Sequence, residues 1–305
     1  MLDRTVTTTI DRETCTGCGE CIKVCPHETI SLVDGKASIT GDQSLTCDHC
    51  RAACTSGSIT VKGIDESLSS FQSFEAETKW LPYGKFDIKN LVNLMQSRRS
   101  CRNYKNKPVE MALLEDLVKI GITAPSGSNC QMWSFNILKD RNSVEAFGKR
   151  VKKFFEDINR MAEKGWLRVL LKILGKPELS NYYLNYYERM KEGLDDWDKN
   201  GKDRLFHGAP AAILVASRED ASCPAEDALL ASQNILLAAH AMGLGACLVG
   251  FAVTAMKKDR KICDAIGLPK DETVYAVIAV GYPAEKYKKV TGRKPAPVRI
   301  IDQKI

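Results

Sequence analysis

The hydrophobic pattern of this chain changes character along its length. Up to about residue 63 apolar positions come in short groups. Residues 5–10 are entirely β-branched, residues 30–33 and 37–39 flank Asp34-Gly35, and residues 58–61 echo residues 29–32. Such runs predict short strands, and Asp-Gly between two of them predicts a hairpin. Residues 64–85 carry Ser67, Ser69, Ser70 and Ser73 with little periodicity and read as a linker. From about residue 86 the period becomes helical. Ile88, Leu91, Val92 and Met95 predict one helix, and Leu113, Leu114, Leu117 and Ile120 a second, after Pro108. The second stops at residues 124–129, a loop by composition. Residues 133–138 alternate like a strand, and 145–205 is helical and rich in Lys and aromatics. Residues 211–216 and 274–280 are continuous apolar runs, hence buried strands. Between them a long helix runs from Ala225 to Gly243-Leu-Gly245, and Gly281-Tyr282-Pro283 closes the last strand. The expected organisation is a small head at 1–63, a linker at 64–85 and a large domain at 86–305.

Composition narrows the class. Hydrophobic residues make up 44% of the 305, enough for a real core. The net charge of +6 comes from 44 basic and 38 acidic residues that are mostly interleaved. Basic clusters such as residues 257–261 are short, so solubility is the expected meaning of that charge and nucleic acid is not an expected partner. Residues 228–253 are apolar enough to raise a membrane span. Ser232, Gln233, Asn234 and His240 interrupt the run and Gly243 and Gly245 break it, so a buried helix is expected and no membrane. Met1-Leu-Asp-Arg-Thr lacks the apolar core of a signal peptide. Of 12 cysteines, seven precede residue 55 and five are scattered without a disulfide framework. Thiolate clusters and lone thiols fit a reducing cytosol, so a cytoplasmic protein is expected.

The seven early cysteines carry the clearest chemistry. Cys15, Cys18, Cys21 and Cys25 stand in the order C-x2-C-x2-C-x3-C, followed by Pro26. That run holds iron–sulfur clusters, three thiolates converging on one cubane and the fourth turned toward a second. Zinc also takes C-x-x-C pairs but does not call for four cysteines within eleven residues and a trailing proline. A second set follows: Cys47, Cys50 and Cys54. With its internal duplication, the head resembles the two-cluster bacterial ferredoxins over its whole length. The resemblance implies Cys15, Cys18, Cys21 and Cys54 for one 4Fe–4S cluster, and Cys25, Cys47 and Cys50 for the other. Ser44 stands where the second set's first cysteine belongs, and Thr55 where a proline does. The second site is therefore open between a 4Fe–4S cluster completed by Ser44, water or another oxygen such as Asp42 or Asp48, a 3Fe–4S cluster, and no cluster.

In the large domain, Arg98-Arg99-Ser100-x-Arg102 groups three guanidinium groups and a hydroxyl, a combination suited to bidentate bonding of a phosphate. Taken with the residue 124–133 loop, His207-Gly-Ala-Pro210, the residue 243–251 segment and Gly281-Tyr-Pro283, it makes the chain from about residue 86 onward resemble the FMN-dependent nitroreductases. That resemblance implies an α+β homodimer with a mixed central sheet flanked by helices and FMN in the subunit interface. It assigns the FMN phosphate to Arg98, Ser100 and Arg102, with Arg99 beside them, and to the late basic residue Arg293. It assigns Pro125, Ser126, Gly127 and Asn129, with Gln131 in the same loop, to a cover over the other subunit's flavin. It places the backbone N–H of Gly250, led into by Leu248 and Val249, at flavin N5. No Ser–His–acid constellation is evident, and His207 and His240 read as structural. The aromatic helices of 160–200 read equally as a lid or as packing.

The expected function is an iron–sulfur flavoenzyme passing electrons from the ferredoxin domain to FMN and on to a nitroaromatic, quinone or activated alkene. The donor is expected to be a low-potential protein or NAD(P)H. A flavin-dependent dehydrogenase exporting electrons through its clusters, and an electron-transfer or redox-sensing module without a dedicated substrate, are the competing readings.

Overall fold

A computed structural model describes residues 3–302 of the chain; Met1 and Leu2 of the expected head and residues 303–305 of the expected large domain lie outside the described residues. In the head, β1 (Thr8–Ile10), α1 (Glu20–Lys23), β2 (Ile30–Val33), β3 (Lys36–Ile39), α2 (His49–Ala52) and β4 (Ile59–Val61) form two antiparallel ribbons, β1 with β4 and β2 with β3. The hairpin is set by Asp34 and Gly35, both left-handed at φ 51 and 74, with Val33 paired to Lys36. That is the two-residue turn an Asp-Gly pair favours. Of the β-branched run at 5–10 only three residues join a strand, because β4 offers three partners. The head keeps its own small core, with Ile30, Ala37, Ile59 and Val61 packed around Cys15 and Cys21.

Residues 64–85 connect the head to the remainder. They hold a short 3-10 turn (Glu66–Ser69) and are tied down by a buried carboxylate. Asp116 accepts the amides of Gln72 and Ser73 and the Ser73 hydroxyl at 2.6–3.0 Å. The segment read as a linker is thus seated on the large domain.

The large domain comprises α3 (Ile88–Ser97), α4 (Met111–Gly121), β5 (Trp133–Leu138), α5 (Arg141–Ala162), α6 (Gly165–Ile173), α7 (Glu178–Asn185), α8 (Tyr187–Asn200), β6 (Ala211–Arg218), α9 (Pro224–Ala241), β7 (Gly245–Leu248), α10 (Gly250–Lys258), α11 (Arg260–Asp264) and β8 (Glu272–Gly281). Its sheet runs β5-β6-β8-β7, every strand pair antiparallel, and the parallel contribution is one bridge between Ser100 and Ala246. Both faces are covered, which explains why β6 is apolar throughout rather than alternating. Ile213 and Val215 pack with Leu114 and Leu117 of α4 and Ile235 of α9. Leu214 and Ala216 pack on the other side, with Phe147, Val151 and Phe155 of α5 and Met256 of α10. Leu114 and Leu117 are wholly buried, each contributing roughly 2 kcal/mol. The apolar run at 228–253 resolves into α9, β7 and the start of α10, and among the described residues no helix is long and apolar enough to cross a membrane.

Candidate functional site

The seven head cysteines divide between two cavities. Cys15, Cys18, Cys21 and Cys54 line one. Cys25, Cys47 and Cys50 line the other, with Ser44, His27, Asp48 and His49. No disulfide joins any of the twelve cysteines. Among the described residues no three Cys, His, Asp or Glu side chains close on a point as one metal ion requires. Four thiols facing one cavity are the donor set of an iron–sulfur cluster, whose ligands sit on separate irons. At the second cavity, the Ser44 hydroxyl accepts the Thr46 amide at 3.0 Å and keeps a lone pair free. Asp48 is engaged: Arg51 clasps its carboxylate through Nε at 2.8 Å and Nη2 at 2.6 Å. Asp42 does not line the cavity.

In the large domain, the chain after α3 runs against β7: Ser100 bridges Ala246, and the Cys101 amide donates to the Ala246 carbonyl at 3.0 Å. Gly245 permits this approach, since a Cβ there would lie 2.7 Å from the Cys101 side chain. The contact holds Arg98 half-buried. Burial, then the charges of Arg99 and Arg293, push its guanidinium below the ordinary arginine value. Among the described residues no carboxylate pairs with Arg98, Arg99 or Arg102. A half-buried cationic group flanked by two others and lacking an internal anion is what a phosphate monoester would neutralise. Arg102 stands apart from that trio, beside His207 and Tyr104.

At the end of β7 Leu248 is exposed; beyond it Val249 is buried with its amide on the Val277 carbonyl at 2.8 Å, and Gly250 opens α10. A Cβ on Gly250 would meet nothing within 4 Å. An exposed backbone at a helix N-terminus with open space above it admits the face of a planar group and leaves N–H groups to bond it. The aromatic segment divides here. Tyr182 and Tyr187 are held inside by Asn159 and Glu163 at 2.7 and 2.6 Å, whereas Tyr186 and Phe155 meet the ring of Phe251 edge-on. The end of α7 therefore borders the open glycine.

The loop at 125–131 lies elsewhere. Asp227, nearly fully buried in the first turn of α9, accepts the Gly127 amide at 2.8 Å and faces the Cys130 thiol at 3.6 Å. Ser126 accepts the Gln131 amide, and Gln131 bonds the Asn129 side chain. Ser128, Asn129 and Gln131 are all left-handed, at φ 54, 52 and 48, a run that non-glycine residues adopt only when their surroundings impose it. Asn129 Nδ2 crosses to the head and donates to the carbonyls of Leu45 and Thr46 at 3.0 and 3.2 Å. Pro125 is exposed. The loop feeds β5, at the opposite sheet edge from β7. Trp133 is level with Ser217 and so with Thr273, whereas Val249 is level with Val277. With strands about 4.8 Å apart and a rise of about 3.4 Å per residue, Trp133 at the end of the loop and Val249 are about 20 Å apart within one chain, and the residue 98–102 segment, bridged to Ala246 beyond β7, is farther still.

Asp227 was not singled out in the sequence, where it reads as an acidic residue suited to a helix start. His207 was read as structural. His207 is half-buried in a left-handed turn at φ 57. Burial, then the nearby Arg102 charge, lower its pKa from 6.5 against the opposing pull of Asp203 and Glu285. The folded state therefore binds its proton less readily than the unfolded state. Its contribution to stability is complete above the unfolded value and is lost as pH falls through the folded one. The melting temperature is expected to drop as pH falls below the unfolded value of 6.5, and less so in His207→Asn, a residue that tolerates the left-handed backbone. Parallel pH profiles of the two proteins would speak against this assignment.

Comparison with known proteins follows the same division. Residues 8–31 match the 4Fe-4S binding domain model, and residues 95–282 match that of the nitroreductase family. The iodotyrosine deiodinase of Thermotoga neapolitana is 27% identical over 205 residues, 66% of this chain and 93% of that one. Human iodotyrosine deiodinase 1 is 23% identical over 239 residues, 73% of this chain and 74% of its own. A crystal structure of a nitroreductase with bound FMN from Bacteroides fragilis superposes with a TM-score of 0.50 at 20% identity, over 70% of this chain and 98% of that chain. The likeness in structure extends to the fold. With the family model spanning more than half of its residues, from the end of α3 to the close of β8, and a 4Fe-4S binding domain ahead of it, the chain belongs to the nitroreductase family.

Proposed function

We propose that the protein is an FMN-dependent oxidoreductase that draws electrons through an N-terminal two-cluster head (residues 1–63), joined by residues 64–85 to a flavin domain (86–305), and reduces a small electron-poor acceptor. The observation that carries this reading is the arginine group beside β7, with no carboxylate paired to it among the described residues, together with the open Gly250. Arg98, Arg99, Ser100 and Arg293 bind the FMN phosphate, with Arg102 completing the cationic wall toward His207. Leu248, Val249 and Gly250 lie under the flavin, the Gly250 N–H at its reactive edge. Pro125, Ser126, Gly127, Asn129 and Gln131 of a second copy cover it, and Tyr186 and Phe251 exclude water from one side. When bound, FMN supplies reversible two-electron chemistry. The chain's part is to hold it, keep it dry and set its distance from the head.

The working form is a cytoplasmic homodimer. The split between loop and arginines supports it. So do the apolar residues left exposed on α3 and in the tail: Ile88, Val92, Val298, Ile300 and Ile301. Dilution to monomer is expected to release FMN in step with dissociation, as sedimentation and flavin fluorescence would show; a monomer with stoichiometric FMN contradicts this architecture. The acceptor is a nitroaromatic, quinone or activated alkene, and the likeness to iodotyrosine deiodinases adds iodinated phenols. The donor is a low-potential protein or NAD(P)H. Dithionite-reduced protein, freed of excess reductant and mixed anaerobically with a panel of these acceptors, should reoxidise rapidly with one class and release its reduced product. Slow, unselective reoxidation by every acceptor would leave an electron carrier.

Cys15, Cys18, Cys21 and Cys54 hold a 4Fe–4S cluster; Cys25, Cys47 and Cys50 hold a second, completed by the Ser44 oxygen. Oxygen is a harder and poorer ligand to cluster iron than sulfur, so this corner is the first to lose its metal. Air exposure is expected to give a 3Fe–4S paramagnetic signal, and Ser44→Cys to suppress it and retain one more iron. Iron counting and spectroscopy on anaerobically made proteins check this; two equally robust clusters in the wild type would remove the Ser44 assignment.

A further inference from the structure

The two cysteine sets are not equivalent with respect to the flavin domain. The cavity of Cys15, Cys18, Cys21 and Cys54 is walled only by head residues between Ile10 and Ile59. The cavity of Cys25, Cys47 and Cys50 includes Leu45 and Thr46, whose carbonyls accept the two bonds from Asn129. Arg4 adds a second tie, donating to the Ser128 carbonyl at 3.4 Å while its own carbonyl accepts the Ser44 amide at 2.8 Å. The second set is therefore the one placed for exit, directly behind the residue 125–131 loop. That loop is at the β5 edge, about 20 Å by strand spacing from Val249, which leads into Gly250 of its own chain, and farther from the arginines.

We propose that each head reduces the flavin held by the other subunit: electrons pass from the Cys25, Cys47, Cys50 cluster across the loop at 125–131 into the FMN bound at the partner's phosphate grip. This rests on the FMN and dimer reading above, because that reading brings the loop of one copy over the flavin of the other. The electrons balance. Each reduced cluster gives one electron, so a two-cluster head carries the two that one FMN takes up with two protons from solvent. A quinone acceptor then receives both electrons and two protons and leaves as the hydroquinone.

Heterodimers of differently tagged chains test the route. In the first, one chain carries Cys47→Ser and an intact grip, and the other Arg98→Ala with Arg99→Ala and an intact head. In the second, a wild-type chain is paired with a chain carrying all three substitutions. Each heterodimer has one working head and one working grip; only their distribution between chains differs. Cys50→Ala serves as an alternative lesion of the same cluster. Misfolding of a silenced head leaves the comparison intact provided the dimer persists on size exclusion.

After dithionite reduction and desalting, benzoquinone is added and cluster reoxidation is followed by paramagnetic resonance. Transfer between subunits predicts reoxidation at least tenfold faster in the first heterodimer. Equal rates, or a faster second heterodimer, overturn the proposal. FMN content, measured separately, keeps the underlying reading distinct: one FMN per heterodimer is expected, and two would mean the grip is misplaced. The contact itself has a readout without flavin. In FMN-free protein, Asn129→Ala should speed amide exchange at residues 45–47 about tenfold, and unchanged exchange would remove the loop as the head's point of attachment.

Discussion

Arg98→Ala is expected to purify with its iron intact and most of its flavin gone. Arg98 is half-buried between two like charges, and among the described residues no carboxylate pairs with it. A bound phosphate would do so through a charge-assisted, bidentate pair. Each hydrogen bond to a charged group contributes about 1.5–3 kcal/mol, so FMN affinity should fall by about one to two orders of magnitude. Arg98→Lys keeps the charge and loses the fork, and should lie between. Titrating FMN into stripped protein while counting iron measures both arms. Full FMN retention in Arg98→Ala would place the phosphate elsewhere.

Asp203→Ala is expected to cost stability on a comparable scale, roughly 3 kcal/mol. The Asp203 carboxylate is almost wholly buried and pairs with Arg141 at 2.8 Å. Its other oxygen accepts the amides of Leu205 and Phe206 at 2.9 and 2.8 Å, both in buried residues. Alanine leaves two buried N–H groups unbonded, each costing about 1–3 kcal/mol, and deprives Arg141 of its partner. Asp203→Asn preserves an acceptor for the amides and should recover about half the loss. Because this turn delivers His207 to the neighbourhood of Arg102, the alanine variant should also bind FMN less well. Denaturant unfolding of the three proteins provides the check, and a change under about 0.5 kcal/mol for Asp203→Ala would show the turn to be held by other contacts.

What could be read from the sequence was whatever residue type and local spacing determine. Asp34-Gly35 encoded its hairpin because a two-residue turn depends on those two residues. The strands at 133–138 and 274–280 stood out by pattern, and the resemblance to two-cluster ferredoxins implied the two sets of thiols that line separate cavities. β7 was hidden: four residues between Gly245 and Val249 are too few for a period, and they followed a helix that seemed to end there. Also illegible were contacts between segments far apart in the chain. Asp227 holds Gly127 from 100 residues away, and Asn129 reaches the head across 84. The arginines were found by type, but which of them converge depends on the Ser100–Ala246 bridge, and that put Arg293 with Arg98 and left Arg102 beside His207.

The seating of residues 72 and 73 on Asp116 bears on how fast electrons can move. A domain on a loose tether must search for its docking pose, and that search is slowed by friction with the solvent. Here Asp116 fixes the tether, Lys119 adds a bond to the Ser70 carbonyl at 2.7 Å, and Asn129 fixes the far side. The head is fastened at both ends and has no stroke to make. On the proposed route, delivery to the flavin would be governed by gap and driving force alone, and thickening the medium with glycerol should retard the arrival of the acceptor while leaving the internal transfer untouched.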